Sequence, residues 1–116
     1  MRREECGMDS LELMHIAKAA IEDKKGEDLA IFKVAAKLGY TDYILLATGR
    51  NPRHVESIID EVQGRLIEKR QEILGVEGRE AGEWVLLDAG DIVVHVMQPT
   101  ARLYYQLDHA WSDCKI

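Results

Sequence analysis

The amino-acid sequence predicts an α/β (α+β) fold in which a mixed β-sheet is flanked by helices, and three observations carry that expectation. Tyr43–Thr48 (YILLAT) is an unbroken apolar run, the pattern of a strand covered on both faces. Within residues 84–97 two aliphatic strands meet at an Asp-Ala-Gly-Asp turn, which reads as an antiparallel hairpin. Between these segments lies an amphipathic stretch of helix length, and a strand-helix-strand crossover favours parallel pairing.

The first element is a helix over residues 9–25, with Leu11, Met14, Ala17, Ala20 and Ile21 recurring near a 3.6 period. Asp9 caps it, Glu12 stands in capping-box position, and Gly26 stops it. Residues 29–34 (LAIFKV) have strand length and are interrupted by Lys33. After YILLAT, Asn51-Pro52 starts a long helix: Asn accepts from orphan N–H groups and Pro is pre-set for the first helical position. This helix is expected to reach Leu74, with Val55, Ile58, Ile59, Val62, Leu66 and Ile73 on its core stripe and Glu61 to Arg65 as a favourable i,i+4 pair. Residues 75–83 (GVEGREAGE) read as a glycine-punctuated loop. Gln98-Pro99 closes the hairpin and opens a last helix, whose Leu103, Tyr104 and Leu107 are expected to dock on the sheet.

A chain of 116 residues fits a single domain over 1–116, with residues 1–8 expected to be a flexible N-terminus. Apolar residues at 47% and charged residues at 31% supply a core and argue against disorder. The net charge of −6 disfavours direct DNA or RNA binding, which calls for an excess of Lys and Arg, and suits a basic partner protein. Cys6 and Cys114 stand near opposite ends with no CxxC, which argues against a disulfide scaffold or a zinc site. The N-terminus leads into no apolar core of a signal peptide, and no stretch approaches membrane-spanning length, so the expected location is cytoplasmic.

The polar residues of the hairpin invite a chemical reading, because burying them costs free energy unless they are paired. Alternation puts Asp91, Val93, His95 and Met97 on one face and the aliphatic Ile92, Val94 and Val96 on the other. The face of Trp84 depends on the turn. A three-residue loop Asp88-Ala89-Gly90 with left-handed Gly90 is the preferred reading, whereas a two-residue loop Ala89-Gly90 would set Trp84 opposite His95. Asp88, Asp91 and His95, with His54, are the candidates for a metal or acid-base site. Two carboxylates three apart across a turn do not share a strand face as a D-x-D pair does, and structural roles in the turn compete. Arg53 and His54 occupy the first turn of the long helix, where positive charge opposes the dipole, so they suggest pairing with Asp88, Asp91 or a partner.

Taken in order, TDYILLATG (41–49), RHV (53–55), GVEG (75–78), W-x-x-x-D-x-G-D-x-x-V-H-V (84–96) and R-x-Y-Y-x-L…W (102–111) resemble the ribosomal silencing factor family, also called RsfS, YbeB or Iojap. The resemblance covers about residues 9–111 and implies a nucleotidyltransferase-like fold without that superfamily's catalytic carboxylates. It implies a translation repressor rather than an enzyme, with no cofactor. Such a repressor binds the large ribosomal subunit through ribosomal protein L-fourteen, blocks the small subunit from joining, and is often a homodimer when free. Carried over by motif, the partner-binding residues are Arg53, His54, Trp84, Asp88, Gly90, Asp91 and His95. Two positions depart from the family pattern: Asn51-Pro52 stands where Ser is common, and Lys33 where an acidic residue is usual. The competing reading is a metal-dependent nucleotide-processing enzyme using Asp88, Asp91 and His95, and a third is a homodimeric scaffold with no ribosomal role.

Overall fold

The computed structural model describes residues 9–35, 39 and 41–116, so the expectation of a flexible segment at residues 1–8 lies outside the described residues. Helix α1 (Ser10–Asp23) opens with the predicted capping box: Asp9 Oδ1 accepts from the Glu12 N–H at 2.9 Å, and Glu12 Oε1 accepts from the Asp9 N–H at 3.4 Å. Its buried stripe is Leu13, Met14, Ala17, Ala20 and Ile21, whereas Leu11 is turned to solvent. The helix ends two residues early, because Lys25 rather than Gly26 takes the left-handed conformation (φ 62°). Gly26 serves a different need: a Cβ there would lie 2.6 Å from Ile21 Cγ2, so the chain leaves the helix in a contact that admits no side chain.

Strand β1 (Glu27–Lys33) begins two residues before the expected start, across a register shift at which Asp28 is left-handed (φ 51°). Strand β2 (Tyr43–Thr48) is buried throughout, as its unbroken apolar run requires. Helix α2 (Pro52–Glu68) starts where predicted, with Asn51 Oδ1 accepting from the His54 N–H at 2.8 Å. It ends at Glu68, not Leu74. Arg70 turns left-handed (φ 66°), the Gln71 N–H returns to Leu66 O at 3.0 Å, and the Gln71 amide donates to Ala89 O at 2.9 Å. The local turn at Arg70 and the tertiary bond to Ala89 outcompete the helix propensity of KRQEIL, so Ile73 packs on the core from outside the helix.

The segment expected to be a loop contains strand β3 (Gly75–Glu77), which pairs antiparallel with β4 (Trp84–Asp88). Three residues are too few to show a period of two, and the pairing is extended by the Leu74 N–H donating to Asp88 O at 2.7 Å. Strand β5 (Ile92–Met97) pairs antiparallel with β4 and parallel with β2, giving the mixed order β1-β2-β5-β4-β3. In the hairpin Trp84 pairs with Met97, Leu86 with His95 and Asp88 with Val93. Neither anticipated loop is found as placed: the turn closes on an Ala89 N–H to Ile92 O bond at 3.0 Å, a two-residue loop of Gly90-Asp91 that lies one residue beyond Ala89-Gly90 and sets Leu86, not Trp84, opposite His95. Gly90 is left-handed as expected (φ 84°), and Asp91 lies in the turn rather than in the strand.

Both sheet faces are covered. Helices α1 and α2 lie over Tyr43, Leu45, Ala47, Val85, Leu87, Ile92, Val94 and Val96. The opposite face gathers Ala30, Phe32, Ile44, Leu46 and Val93 beneath Leu107, Trp111 and Cys114 of the C-terminal segment. That segment is not one helix. Helix α3 (Pro99–Tyr105) breaks at left-handed Gln106 (φ 53°), and helix α4 (Leu107–Ala110) and a 3-10 turn at Ser112–Cys114 follow. The break reassigns the docking residues: Ala101 and Leu107 face inward, while Leu103 and Tyr104 stand in solvent. The Ile116 N–H donates to Ile31 O at 2.9 Å, so the chain end lies along the outer edge of β1.

Candidate functional site

Trp84 and His95 are diagonal neighbours on one face of the β4-β5 pair, because each pairs with a residue of the other strand on that same face. The indole Nε1–H of Trp84 donates to His95 Nδ1 at 3.0 Å, with ring centroids 5.9 Å apart. A neutral imidazole that accepts at Nδ1 carries its proton on Nε2. Burial pushes the His95 pKa down to about 4, so the ring is uncharged near neutral pH. Trp111 packs beside His95 at 6.1 Å and against Phe32 at 5.8 Å, while Tyr105 lies 4.7 Å from Trp84 on the solvent side. His95 is thus held between two tryptophans, in an environment that suits packing rather than proton transfer at pH 7.

The three turn residues lie at the other end of β4, about 13 Å from Trp84 by strand rise. Asp88 Oδ1 accepts from the Gly90 N–H at 2.9 Å, an Asx-type bond that shapes the turn. The Asp91 carbonyl accepts from Asp42 N–H at 2.9 Å and Tyr43 N–H at 3.3 Å, joining the hairpin tip to the start of β2. Gly90 is required by its angle and not by crowding, since the nearest heavy atom to a Cβ would be Leu74 Cδ1 at 3.8 Å. Among the described residues no group of three or more His, Cys, Asp or Glu side chains is arranged to hold a metal ion.

Arg53 and His54 diverge although they are adjacent. His54 is 9% exposed; its Nδ1 accepts from the Arg50 N–H at 2.9 Å and its Nε2 bonds Lys24 O at 2.8 Å. It therefore ties the start of α2 to the end of α1, and it does not pair with Asp88 or Asp91. Arg53 is exposed and lines a cleft with Glu56, Asp60 and Arg79, close to the 78–83 segment that leads into Trp84. Of the seven residues anticipated from the sequence, the structure brings Trp84 and His95 into contact, gathers Asp88, Gly90 and Asp91 in the turn, and leaves Arg53 as an exposed charge near the Trp84 end.

Sequence reasoning did not single out Arg102 or the tyrosines beside it as functional. Arg102 grips Asp108 with two bonds, Nε to Oδ1 at 3.1 Å and Nη2 to Oδ2 at 2.8 Å. Its Nη1 donates to Asp28 O at 2.6 Å and Thr48 Oγ1 at 3.0 Å. The bond from Arg102 holds the Asp108 carboxyl below its usual range. This clamp sets the α3-α4 elbow, and it leaves Leu103, Tyr104 and Tyr105 as an exposed apolar ridge that continues onto Trp84. The R-x-Y-Y spacing was the available signal. Its partner Asp108 stands six residues away, at no helical repeat, because the left-handed Gln106 lies between them.

A family model described as ribosomal silencing factor during starvation matches residues 8–116. The chain is similar to a protein named ribosomal silencing factor RsfS from Chromobacterium violaceum, with 40% identity over 108 residues covering 93% of this chain and 88% of that one. It is likewise similar to a protein of that name from Bacillus subtilis, with 32% identity over 109 residues covering 94% and 92% of the two chains. A crystal structure of a Chromobacterium violaceum protein superposes with a TM-score of 0.88 at 40% identity, covering 90% of this chain and 88% of that one.

Proposed function

The chain belongs to the ribosomal silencing factor family, and from that premise we propose that it represses translation by steric means rather than by catalysis. It binds the large ribosomal subunit through ribosomal protein L-fourteen, on the face where the small subunit docks, and so prevents the two from joining. When free it is a homodimer, and it acts in the cytoplasm, where ribosomes assemble.

The observation that carries this reading is the contrast between spent polar groups and unspent apolar surface. His95 and Asp88, which an enzyme would need free, make internal bonds, while the tyrosines above Trp84 stand in solvent. An acidic protein with an exposed aromatic patch suits a basic ribosomal protein.

Co-sedimentation tests the binding. Purified protein mixed with separated large and small subunits is expected to pellet with the large subunit alone, in a salt-sensitive manner. Equal pelleting with both, or with neither at saturating concentration, contradicts the reading.

A further inference from the structure

We propose that the α3 ridge and the cavity beside it form one docking surface for a basic protein, in which the cavity receives a lysine or arginine side chain of that partner. This deepens the proposed function, on which it rests, by assigning a contact surface outside the hairpin and the start of α2. Leu103 is 74% exposed, Tyr104 79% and Tyr105 48%, on consecutive positions of one short helix. Isolated exposed apolar residues are ordinary, but here Tyr105 packs on half-buried Trp84, Tyr104 packs on Tyr105, and Leu103 adjoins them in the chain, which makes a larger patch.

The cavity adjoins Leu103 and has a volume of about 430 Å³; its polar lining includes Glu27, Asp28, Thr48, Arg102, Asp108 and His109. Three carboxylates meet there. Asp108 is neutralised by Arg102, and Glu27 faces Arg50 at 3.5 Å. Asp28 has no ion-pair partner among the described residues, so the cavity holds one spare carboxylate beside an apolar wall. A long basic side chain matches that combination, because its methylenes lie along Leu103 while its cationic head reaches the spare carboxylate. Arg102 cannot serve Asp28 in this way, since its nitrogens already bond Asp108, Thr48 and the Asp28 carbonyl. The net charge of −6 supports the same class of partner.

The test uses the full chain and purified large ribosomal subunits, with binding measured at several ionic strengths. Leu103→Ser with Tyr104→Ser removes the ridge without touching the core. Asp28→Asn removes the charge with a residue that tolerates the left-handed backbone found there. Each variant is checked for unchanged thermal unfolding. The ridge variant is expected to bind at least tenfold more weakly, and Asp28→Asn severalfold more weakly with a shallower salt dependence. Wild-type affinity in both folded variants overturns the docking surface and leaves ribosome binding in place. Failure of the wild-type chain to bind the subunit at all overturns both. Weakening by the ridge variant alone, with the salt dependence of Asp28→Asn unchanged, overturns the basic anchor.

Discussion

Trp84 donates its indole N–H to His95 Nδ1 at 3.0 Å across the β4-β5 ladder, and this one bond fixes the tautomer of an imidazole that burial keeps neutral. Its consequence for stability is directional. Above about pH 6.5 the ring is neutral in both folded and unfolded chains and contributes no pH dependence. As the pH falls from 6.5 towards 4, the unfolded chain takes up a proton that the folded chain excludes, so stability falls across that window. The interval corresponds to roughly 3 kcal/mol. Urea unfolding followed from pH 7 to pH 4 is expected to show this loss, and His95→Gln to lack it.

Trp84→Phe keeps a ring against Tyr105 but removes the donor to His95. The expected cost is about 1 kcal/mol for the lost hydrogen bond. The His95 imidazole resonances in an NMR pH titration should shift with it, and an unchanged spectrum would show that the bond does not form in solution.

Gly90→Ala places a Cβ in open space on a left-handed backbone. A loss of about 1 to 2 kcal/mol follows from conformation alone. Gly90→Asn, which tolerates that region, should recover part of it. Denaturant midpoints of the two variants provide the comparison.

Arg53 and His54 should separate cleanly on substitution. His54→Ala removes the tie between α1 and α2 and is expected to cost about 2 kcal/mol of stability. Arg53→Ala, on the surface, should leave unfolding within about 0.5 kcal/mol of wild type. If Arg53 belongs to the partner surface, its loss weakens large-subunit binding; equal affinity removes it from that surface.

Arg102→Lys keeps the charge and loses the planar fork that holds Asp108, Asp28 O and Thr48 together. About 1.5 to 3 kcal/mol should be lost, because charge-assisted bonds break in a part-buried setting. Thermal unfolding reads the effect.

The elements legible in the sequence were those whose signal is local. The capping box at Asp9 and Glu12, the Asn51-Pro52 helix start and the buried run Tyr43–Thr48 each carry their own chemistry, and the structure holds all three. Strand β3 and the end of α2 were not legible, because both are decided by bonds to the distant hairpin, from Leu74 to Asp88 and from Gln71 to Ala89. The site divided in the same way. Alternation placed His95 opposite the aliphatic face, but the closure of the His95 face by Trp111 and Leu107 depends on an elbow at Gln106 that no helical period announces. His54 had the residue type of a surface contact and the position of an internal tie; only its carbonyl partner, thirty residues away, distinguishes the two.

The central claim is tested most directly by light scattering during subunit association. Separated large and small ribosomal subunits are brought to joining conditions with increasing amounts of the protein. The account predicts a dose-dependent loss of joined ribosomes when the protein is added to the large subunit first. Full association at saturating protein, with the protein bound to the large subunit throughout, would contradict it.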